Sequence, residues 1–386
     1  MSSINYNSHH IDANDIKAVV STLKGPRITQ GLKVKEFEKK LSKKFKCKYC
    51  SVVSSGTAAL HLTAISLGFK KKDVIISSPL TFLAGANSVN YCGAKPVFVD
   101  IEPETQNLDP KKLEKKIQSL RKKNEKVKAV IATDYAGHPC DWKSLKKLFL
   151  KYNFYLINDN CHAIGAKYFK DIGYAAKYAD VVIHSYHAVK NITTGEGGSV
   201  LTNNKKIYNK IEILRNHGLV NIRKKSFNKN WPFEMRYLGY NYRITDFQCA
   251  LGISQLAKLE KFLIKRKKIA KIYFQRLRNI KNLKVPSIKE HIDHSFHLFP
   301  IQINFKRQKF NKNKFISYFK KKNINLQVHY FPIHMQPYYK KKFKFKKNDF
   351  PNSVKFYESA VSLPIFYNLK KKDINKVVHL IRKKVS

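Results

Sequence analysis

From residue 50 onward, short apolar runs alternate with amphipathic stretches. The runs CSVV (50–53), DVIISSP (73–79), KPVFVDI (95–101), VKAVIATDYAG (127–137), FYLINDN (154–160), VVIHS (181–185) and GSVLTN (198–203) read as strands with their end turns. Between them, AALHLTAISL (58–67), TFLAGANSVNYCG (81–93), PKKLEKKIQSL (110–120), DWKSLKKLFLKY (141–152) and KKIYNKIEILRNHG (205–218) read as helices. Their ends carry matching signals: Gly68 lies just past the first, and Asp109 precedes Pro110 at the start of the third. Two helices come earlier. One runs from Asp12 to Leu23 with Ile16, Val19, Val20 and Leu23 on one face; the other holds Val34, Phe37, Leu41 and Phe45 at helical spacing. Strands that are apolar along their whole length need cover on both faces. This order therefore predicts a largely parallel sheet between two layers of helices. In such sheets ligands sit beyond the carboxyl ends of the strands.

The pattern changes after a long helix that starts near Asp246. HLFPIQI (297–303), a helix around KNKFISYFKKKN, INLQVHYFP (324–332) and a final amphipathic helix, DINKVVHLIRKKV (373–385), predict a small antiparallel sheet with helices on one side. The expected organisation is α/β, with a large domain over 1–250 and a smaller α+β domain over 251–386. No Pro/Gly-rich linker marks the junction, and the long helix is expected to bridge the two.

Composition narrows the function classes. A chain of 386 residues, 43% of them apolar, has enough material for a large packed core. Lys and Arg total 76 against 26 Asp and Glu, a formal charge of +50. These bases are dispersed, from KKLSKKFK (39–46) to KKKDINK (370–376), and no zinc-finger or RNP element accompanies them. We read them as solvated faces that draw in anionic substrates rather than as a nucleic-acid surface. No apolar run approaches the ~20 residues of a membrane-spanning helix, and the first residues lack a basic-then-apolar leader. The expected location is the cytoplasm, away from membranes. Of six cysteines only Cys47 and Cys50 form a CxxC, with no second pair at zinc spacing, so no metal is expected.

Candidate chemistry concentrates in SYHAVKNITTGEGG (185–198). Lys190 falls on a loop between two apolar strands. Lost solvation there disfavours the ammonium and frees the amine as a nucleophile. Its natural reaction is a Schiff base with a carbonyl, including that of pyridoxal phosphate. Most lysines of this chain are surface groups; this one is set apart by Gly195, Gly197 and Gly198, which let backbone pass close to a ligand. SSGT (54–57), between a strand and a helix start, is either a phosphate cradle or an ordinary connection, and it is not a P-loop. Asp159, at a strand end, either caps the NDNCHA turn or faces a pyridine nitrogen and keeps it protonated. His162 would then cover the ring or hold Asp159. GPRITQG (25–31) either meets a phosphate or sugar or is a surface loop. QVHYFPIH (327–334) either reaches a site or is a strand with its exit loop. Asn241 and Arg243 are polar groups just ahead of the long helix.

Taken together, these stretches resemble the DegT/DnrJ/EryC1/StrS family of pyridoxal-phosphate-dependent sugar aminotransferases. TQG, SGTAALHL, SPLTF, DYAG, DNCHAIGA, SYHAVKNITTGEGGSVLTNN, RNHG, LGYNYRITDFQCALGISQL and QVHYFPI follow in the family's order, almost end to end. The resemblance implies an aspartate-aminotransferase-type fold (fold type I) and a homodimer whose sites are shared between subunits. It implies Lys190 and Asp159 as catalytic residues. The lysine would bond pyridoxal 5'-phosphate and then shuttle a proton to the sugar carbon, and the aspartate would pair with the pyridine nitrogen. Phe82 would stack on the ring, with His162 also at the cofactor. Gly56, Thr57 and Ser185 would hold the phosphate, with Asn241 reaching it from the neighbouring subunit. Tyr6, Pro26, Arg27, Ile28, Thr29, Arg243, Val328, His329, Tyr330 and Phe331, with Gly56 and Ser185, would line the nucleotide-sugar pocket.

DYAG, DNCHAIG, HAVKNITTGEGG and QVHY are most similar to the family's pseudaminic acid branch. That implies transfer of an amino group from L-glutamate to carbon 4 of a UDP-linked 4-keto-6-deoxy-N-acetylhexosamine. Two positions depart from the branch: Phe331, where a lysine is expected, and Gln336, near an expected tyrosine. Phe331 removes a cation from the diphosphate region. These departures leave open another nucleotide-linked keto sugar, such as a perosamine or bacillosamine precursor. A dehydratase on this scaffold would replace Lys190 with histidine. A basic nucleic-acid-binding or regulatory protein is the alternative from another class, and Lys190, Asp159 and the SSGT turn together speak against it.

Overall fold

A computed structural model describes residues 3–222 and 231–385. Its strands, in chain order, are β1 (Tyr49–Val53), β2 (Val74–Ser77), β3 (Lys95–Phe98), β4 (Val127–Thr133), β5 (Tyr155–Asp159), β6 (Lys167–Tyr168), β7 (Val181–Ser185), β8 (Gly198–Thr202), β9 (Leu219–Asn221), β10 (Phe233–Met235), β11 (Leu283–Lys284), β12 (Ile292–Asp293), β13 (Phe299–Ile303) and β14 (Ala360–Leu363). Seven of them form one sheet in the order β1-β8-β7-β5-β4-β2-β3. The five strands β3, β2, β4, β5 and β7 run parallel. β8 runs against both its neighbours. The reversal has a local cause: the stretch 186–197 between β7 and β8 holds no helix, and parallel neighbours need a helical crossover.

Successive residues of each strand point to opposite faces, and the two faces bury separate core clusters. Val52, Ile76, Val130, Leu156, Val182 and Leu201 pack on one side with Phe37 and Leu41. Their chain neighbours Val53, Ile75, Ile131, Ile157, Ile183 and Val200 pack on the other, with Leu60 and Leu62 of the helix Gly56–Ser66. Each such side chain contributes roughly 1.5–3 kcal/mol by leaving water. The pairing explains why these strands read as unbroken apolar runs.

A further core cluster lies on the antiparallel sheet β11-β13-β14 and includes Ile269, Tyr273, Phe299, Phe315, Phe319, Val377 and Ile381. Ile4 belongs to it as well. Its N–H donates to the Asn323 carbonyl and its carbonyl accepts from Asn325 N–H, both at 2.8 Å. The helix Leu259–Leu277 enters two cores. Leu259, Phe262 and Leu263 join the large sheet's cluster; Ile269, Ala270, Tyr273 and Leu277 join the smaller sheet's.

Some elements differ from expectation. The helix expected from Thr81 begins at Ala84. Residues 78–83 are held irregular by side chains: Ser78 Oγ accepts from Leu80 N–H, and Thr81 and Thr133 share a hydroxyl hydrogen bond. The long helix from Asp246 is two, Asp246–Ala257 and Leu259–Leu277. They break at Lys258, whose amine pairs with Asp12 and Asp15. INLQVHYFP forms no strand; it touches its neighbours through single bridges, Ile324 to Ile4 and Gln327 to Ser362.

Candidate active site

Three chain ends meet at one edge of the large sheet. Gly198, the first residue of β8, lies opposite both Val53 at the end of β1 and Ser185 at the end of β7. A Cβ on Gly198 would lie 2.5 Å from the carbonyl carbon and oxygen of Ser55, so glycine is what lets the SSGT turn pass this close. Ser55 Oγ accepts from Ala58 N–H and caps the helix Gly56–Ser66. First-turn amides of such a helix have no partner within it and carry the positive end of its dipole. A Cβ on Gly56 would sit 2.9 Å from Ser185 Cβ. Asp159 closes β5, in register with Ile183 of β7.

These ends open on a cavity of about 680 Å³. Tyr6, Gly56, Thr57, Phe82, Asp159, His162, Ser185, Lys190, Val328, His329 and Tyr330 all line it. The structure thus gathers most of the residues singled out in the sequence, from six separate stretches. Lys190 is half-buried on the β7–β8 loop. Burial pushes its amine below the ordinary lysine range, with Cys161 and Asp159 pulling the other way. Asp159 is 7% exposed; Thr133 Oγ donates to its Oδ2 at 3.3 Å and Cys161 N–H to its Oδ1 at 3.2 Å. Burial raises the Cys161 thiol well above its usual range. It therefore stays protonated, and Lys190 is the better nucleophile of the two.

His162 is held well below the usual imidazole range by burial, then by Lys190 and His329. Its Nδ1 accepts from Ala136 N–H at 3.4 Å, and its Nε2 lies 2.8 Å from Tyr330 Oη. The His297 ring is 4.5 Å away. Phe82, 56% exposed, faces Tyr330 with ring centres 6.0 Å apart. The segment bearing His329 and Tyr330 is anchored by Tyr135 Oη, which donates to the His329 carbonyl at 2.5 Å, and by Ser362 Oγ at His329 Nδ1.

Other expected residues do not reach this cavity within one chain. Asn241, Arg243 and the segment Pro26, Arg27, Ile28 and Thr29 gather elsewhere. Asp246 N–H donates to the Ile28 carbonyl, and Thr29 bridges Thr245. Asn241 bridges Asn216, which also accepts from Arg243 Nη1 at 2.8 Å. Residues 26–29 are exposed. Phe331 packs on Tyr357, ring centres 5.2 Å apart, and is absent from the cavity lining. Conversely, Thr81, Cys161, His187, Glu196, His297 and Gln327 line the cavity without having been given a role of their own, though all but His297 fall in motif stretches already quoted. Cys161 was within reach of sequence reading, two residues past a strand-end aspartate. His297 carries no local signal: it arrives through the contact of Ser295 Oγ with the His162 carbonyl.

The description "DegT/DnrJ/EryC1/StrS aminotransferase family" matches the chain over residues 9–382. The chain belongs to this family. An uncharacterised protein of Methanocaldococcus jannaschii is 41% identical over 379 residues, 97% of this chain and 96% of that one. The UDP-4-amino-4,6-dideoxy-N-acetyl-beta-L-altrosamine transaminase of Campylobacter jejuni is 38% identical over 370 residues, 96% and 94% of the two chains. Among solved structures, Helicobacter pylori PseC, an aminotransferase involved in the biosynthesis of pseudoaminic acid, superimposes with a TM-score of 0.90 at 31% identity. The match covers 100% of this chain and 99% of that one. Spr1654 of Streptococcus pneumoniae in its PLP form gives 0.88 at 26% identity, covering 99% and 98%.

Aminotransferases of the DegT/DnrJ/EryC1/StrS family depend on pyridoxal phosphate, and the residues here suit that group. The cavity sets a helix N-terminus beside small residues, a fitting place for a phosphate. It also offers a nearly buried carboxylate, an exposed aromatic face and an amine of lowered proton affinity. No group of three or more His, Cys, Asp or Glu among the described residues could hold a metal ion. No described helix is long and apolar enough to cross a membrane.

Proposed function

We propose that this aminotransferase moves the amino group of L-glutamate to carbon 4 of a UDP-linked 4-keto-6-deoxy-N-acetylhexosamine, as in the pseudaminic acid pathway. One observation carries the reading: Lys190, Asp159 and the helix start at Gly56 face a single cavity. The likeness to the Campylobacter transaminase supports the choice of substrate.

Bound pyridoxal phosphate supplies a ring that accepts the electron pair released at the reacting carbon. Asp159 would hold a proton at the ring nitrogen. Lys190 Nζ would hold the group through its aldehyde and, as a free amine, would carry a proton to and from the reacting carbon. That task needs the free amine, which the lowered proton affinity favours. Gly56, Thr57 and Ser185 would hold the phosphate, Phe82 would stack on the ring, and His162 would lie at the cofactor. Tyr6, Val328, His329 and Tyr330 line the acceptor side.

The functional unit in this proposal is a homodimer. Asn241, Arg243 and Pro26 to Thr29 of one copy complete the cavity of the other. Their grouping away from their own cavity, on partly exposed backbone, supports that arrangement. The proposed division is a cofactor-binding domain over 1–250 and a small domain over 251–386. The proposed location, consistent with nucleotide-linked sugar substrates, is the cytoplasm. A second reading, another nucleotide-linked keto sugar, is favoured by Phe331, which turns onto Tyr357 and supplies no cation to the cavity.

The test is to incubate the protein with pyridoxal phosphate, glutamate and a panel of UDP-linked 4-keto sugars, with products identified by NMR. Formation of the L-altro 4-amino sugar by wild type and not by Lys190→Ala supports the proposal. A different 4-amino sugar moves it to the second reading. Failure of glutamate to convert the bound cofactor to its amine form sinks both.

A further inference from the structure

His162 and Tyr330 form a pair whose proton positions can be deduced. His162 is 3% exposed and enclosed by protein on both ring nitrogens. Ala136 N–H points at Nδ1, so Nδ1 is the acceptor. The imidazole is neutral, because burial and the neighbouring Lys190 disfavour the cation. A neutral imidazole carries one proton, and with Nδ1 accepting, that proton is on Nε2. Nε2–H therefore donates to Tyr330 Oη at 2.8 Å. The Tyr330 hydroxyl keeps its own proton, since burial raises it well above the usual phenol range. A hydroxyl that already accepts from one side presents its O–H elsewhere, and Tyr330 lines the cavity.

We propose that Tyr330 is a catalytic residue whose O–H donates a hydrogen bond to the carbonyl oxygen at the reacting carbon of the keto acceptor. His162 is the positioning residue that keeps that proton directed into the cavity. The inference rests on the keto-sugar reading above. Two observations select a carbonyl over a carboxylate as the recipient. First, Tyr330 is a single neutral donor, whereas a carboxylate calls for a charged, forked one, which the proposed dimer supplies through Arg243 of the other copy. A neutral carbonyl is matched by one neutral donor. Second, Tyr330 and Lys190 line the same cavity, so the donor and the proton-carrying amine open on one space. As a nitrogen–carbon bond forms at the acceptor carbon, the π pair of the C=O bond shifts to oxygen. The Tyr330 hydrogen bond strengthens as that charge grows. Hydrogen-bond donation suffices, and no proton leaves the tyrosine.

The holoenzyme in its aldehyde form lacks the amino group to be transferred, so a keto sugar binds without reacting. A UDP-linked sugar labelled with 13C at the keto carbon is added in that state and followed by NMR. The bound carbonyl resonance should move downfield with wild type, and Tyr330→Phe should remove the displacement while the sugar still binds. In turnover, Tyr330→Phe should lower kcat by about 10²–10³-fold with KM little changed, the size expected for loss of one preorganised donor. His162→Gln, which keeps a donor at that position, should retain most of the displacement, and His162→Phe should lose it. Each of these variants is compared with wild type by circular dichroism and cofactor absorbance, so that misfolding is seen directly. A displacement or kcat that survives Tyr330→Phe overturns the inference. So does a wild-type bound resonance with no downfield shift, and that result leaves the keto-sugar reading standing. Absence of any bound resonance across the panel overturns that reading and this inference with it.

Discussion

Lys190 sits between opposing surroundings: burial weakens its hold on a proton, and Asp159 and Cys161 partly restore it. The pH–rate profile should show this balance, with the limb belonging to the lysine amine below the ordinary lysine range. Asp159→Asn, which removes the nearby carboxylate, should move that limb further down while greatly lowering the rate. Gly56 matters through what it lacks. Gly56→Ala would set a Cβ 2.9 Å from Ser185 Cβ. Overpacking of this kind costs about 1–3 kcal/mol, so retention of pyridoxal phosphate, followed by absorbance during dialysis, should weaken by about tenfold or more. Lys190, Asp159 and Gly56 were legible in the sequence because each follows a strand end or precedes a helix start. Glu196 shared the Lys190 stretch without being given a role, and His297 was not legible. Its presence in the cavity is set by contacts between distant segments, which leave no period or spacing to read. For Asn241 the resemblance already implied the neighbouring subunit's site; for Arg243 the sequence supplied polarity, and its absence from its own chain's cavity lining appears only in the fold.

At the level of elements, the β1–β8–β7 junction controls how the site is assembled. Gly198 touches the Ser55 backbone, which has no flexible end to move aside. Gly198→Ala should destabilise the protein by about 1–3 kcal/mol, read as a lower urea midpoint, and should loosen cofactor binding as the SSGT turn is displaced. Alanine at Gly85, where an added Cβ comes no closer than 4.0 Å to Ile131 and no positive φ is required, is the control for crowding. The alternation of strands and helices was readable because both sheet faces are buried, which leaves unbroken apolar runs. The reversed β8 was not, since direction depends on the connection rather than on the strand itself. INLQVHYFP misled for a related reason. It has the composition of a strand, but its partners Ile4 and Ser362 offer only isolated bridges.

For the whole molecule, buried histidines dominate the acid response. His184 and His329 are depressed to about 3, His138 to about 4, and His162, His294 and His297 well below the usual value, all chiefly by burial. Below about pH 6.5 the unfolded chain protonates these groups and the folded chain does not. The stability they contribute is therefore present above that pH and lost as pH falls toward their folded values. Asp134 acts oppositely. Burial raises its carboxyl to about 6, so its contribution is full below the ordinary aspartate range and lost as pH rises through about 6. His61 and His334 are lowered as well, and Asp180 is raised, each chiefly by burial, so eight histidines stand against two aspartates. Urea midpoints should fall steadily from pH 7 to pH 5, with net proton uptake on unfolding in that range. A midpoint that rises on acidification would contradict this account.

The seating of Ile4 against Ile324 also sets an order of events during synthesis. Residue 4 leaves the ribosome long before the segment that receives it, so the start of the chain must wait unpaired while the seven-stranded sheet is completed. The smaller core closes only when the helix Lys371–Val385 arrives, whose Val377 and Ile381 share that core with Ile4. A nascent chain halted before residue 324 would hold its finished sheet and a loose leading end. Emergence of residues 323–325, rather than folding of the sheet, would be the step that fastens the N-terminal segment, with Tyr6 at the cavity.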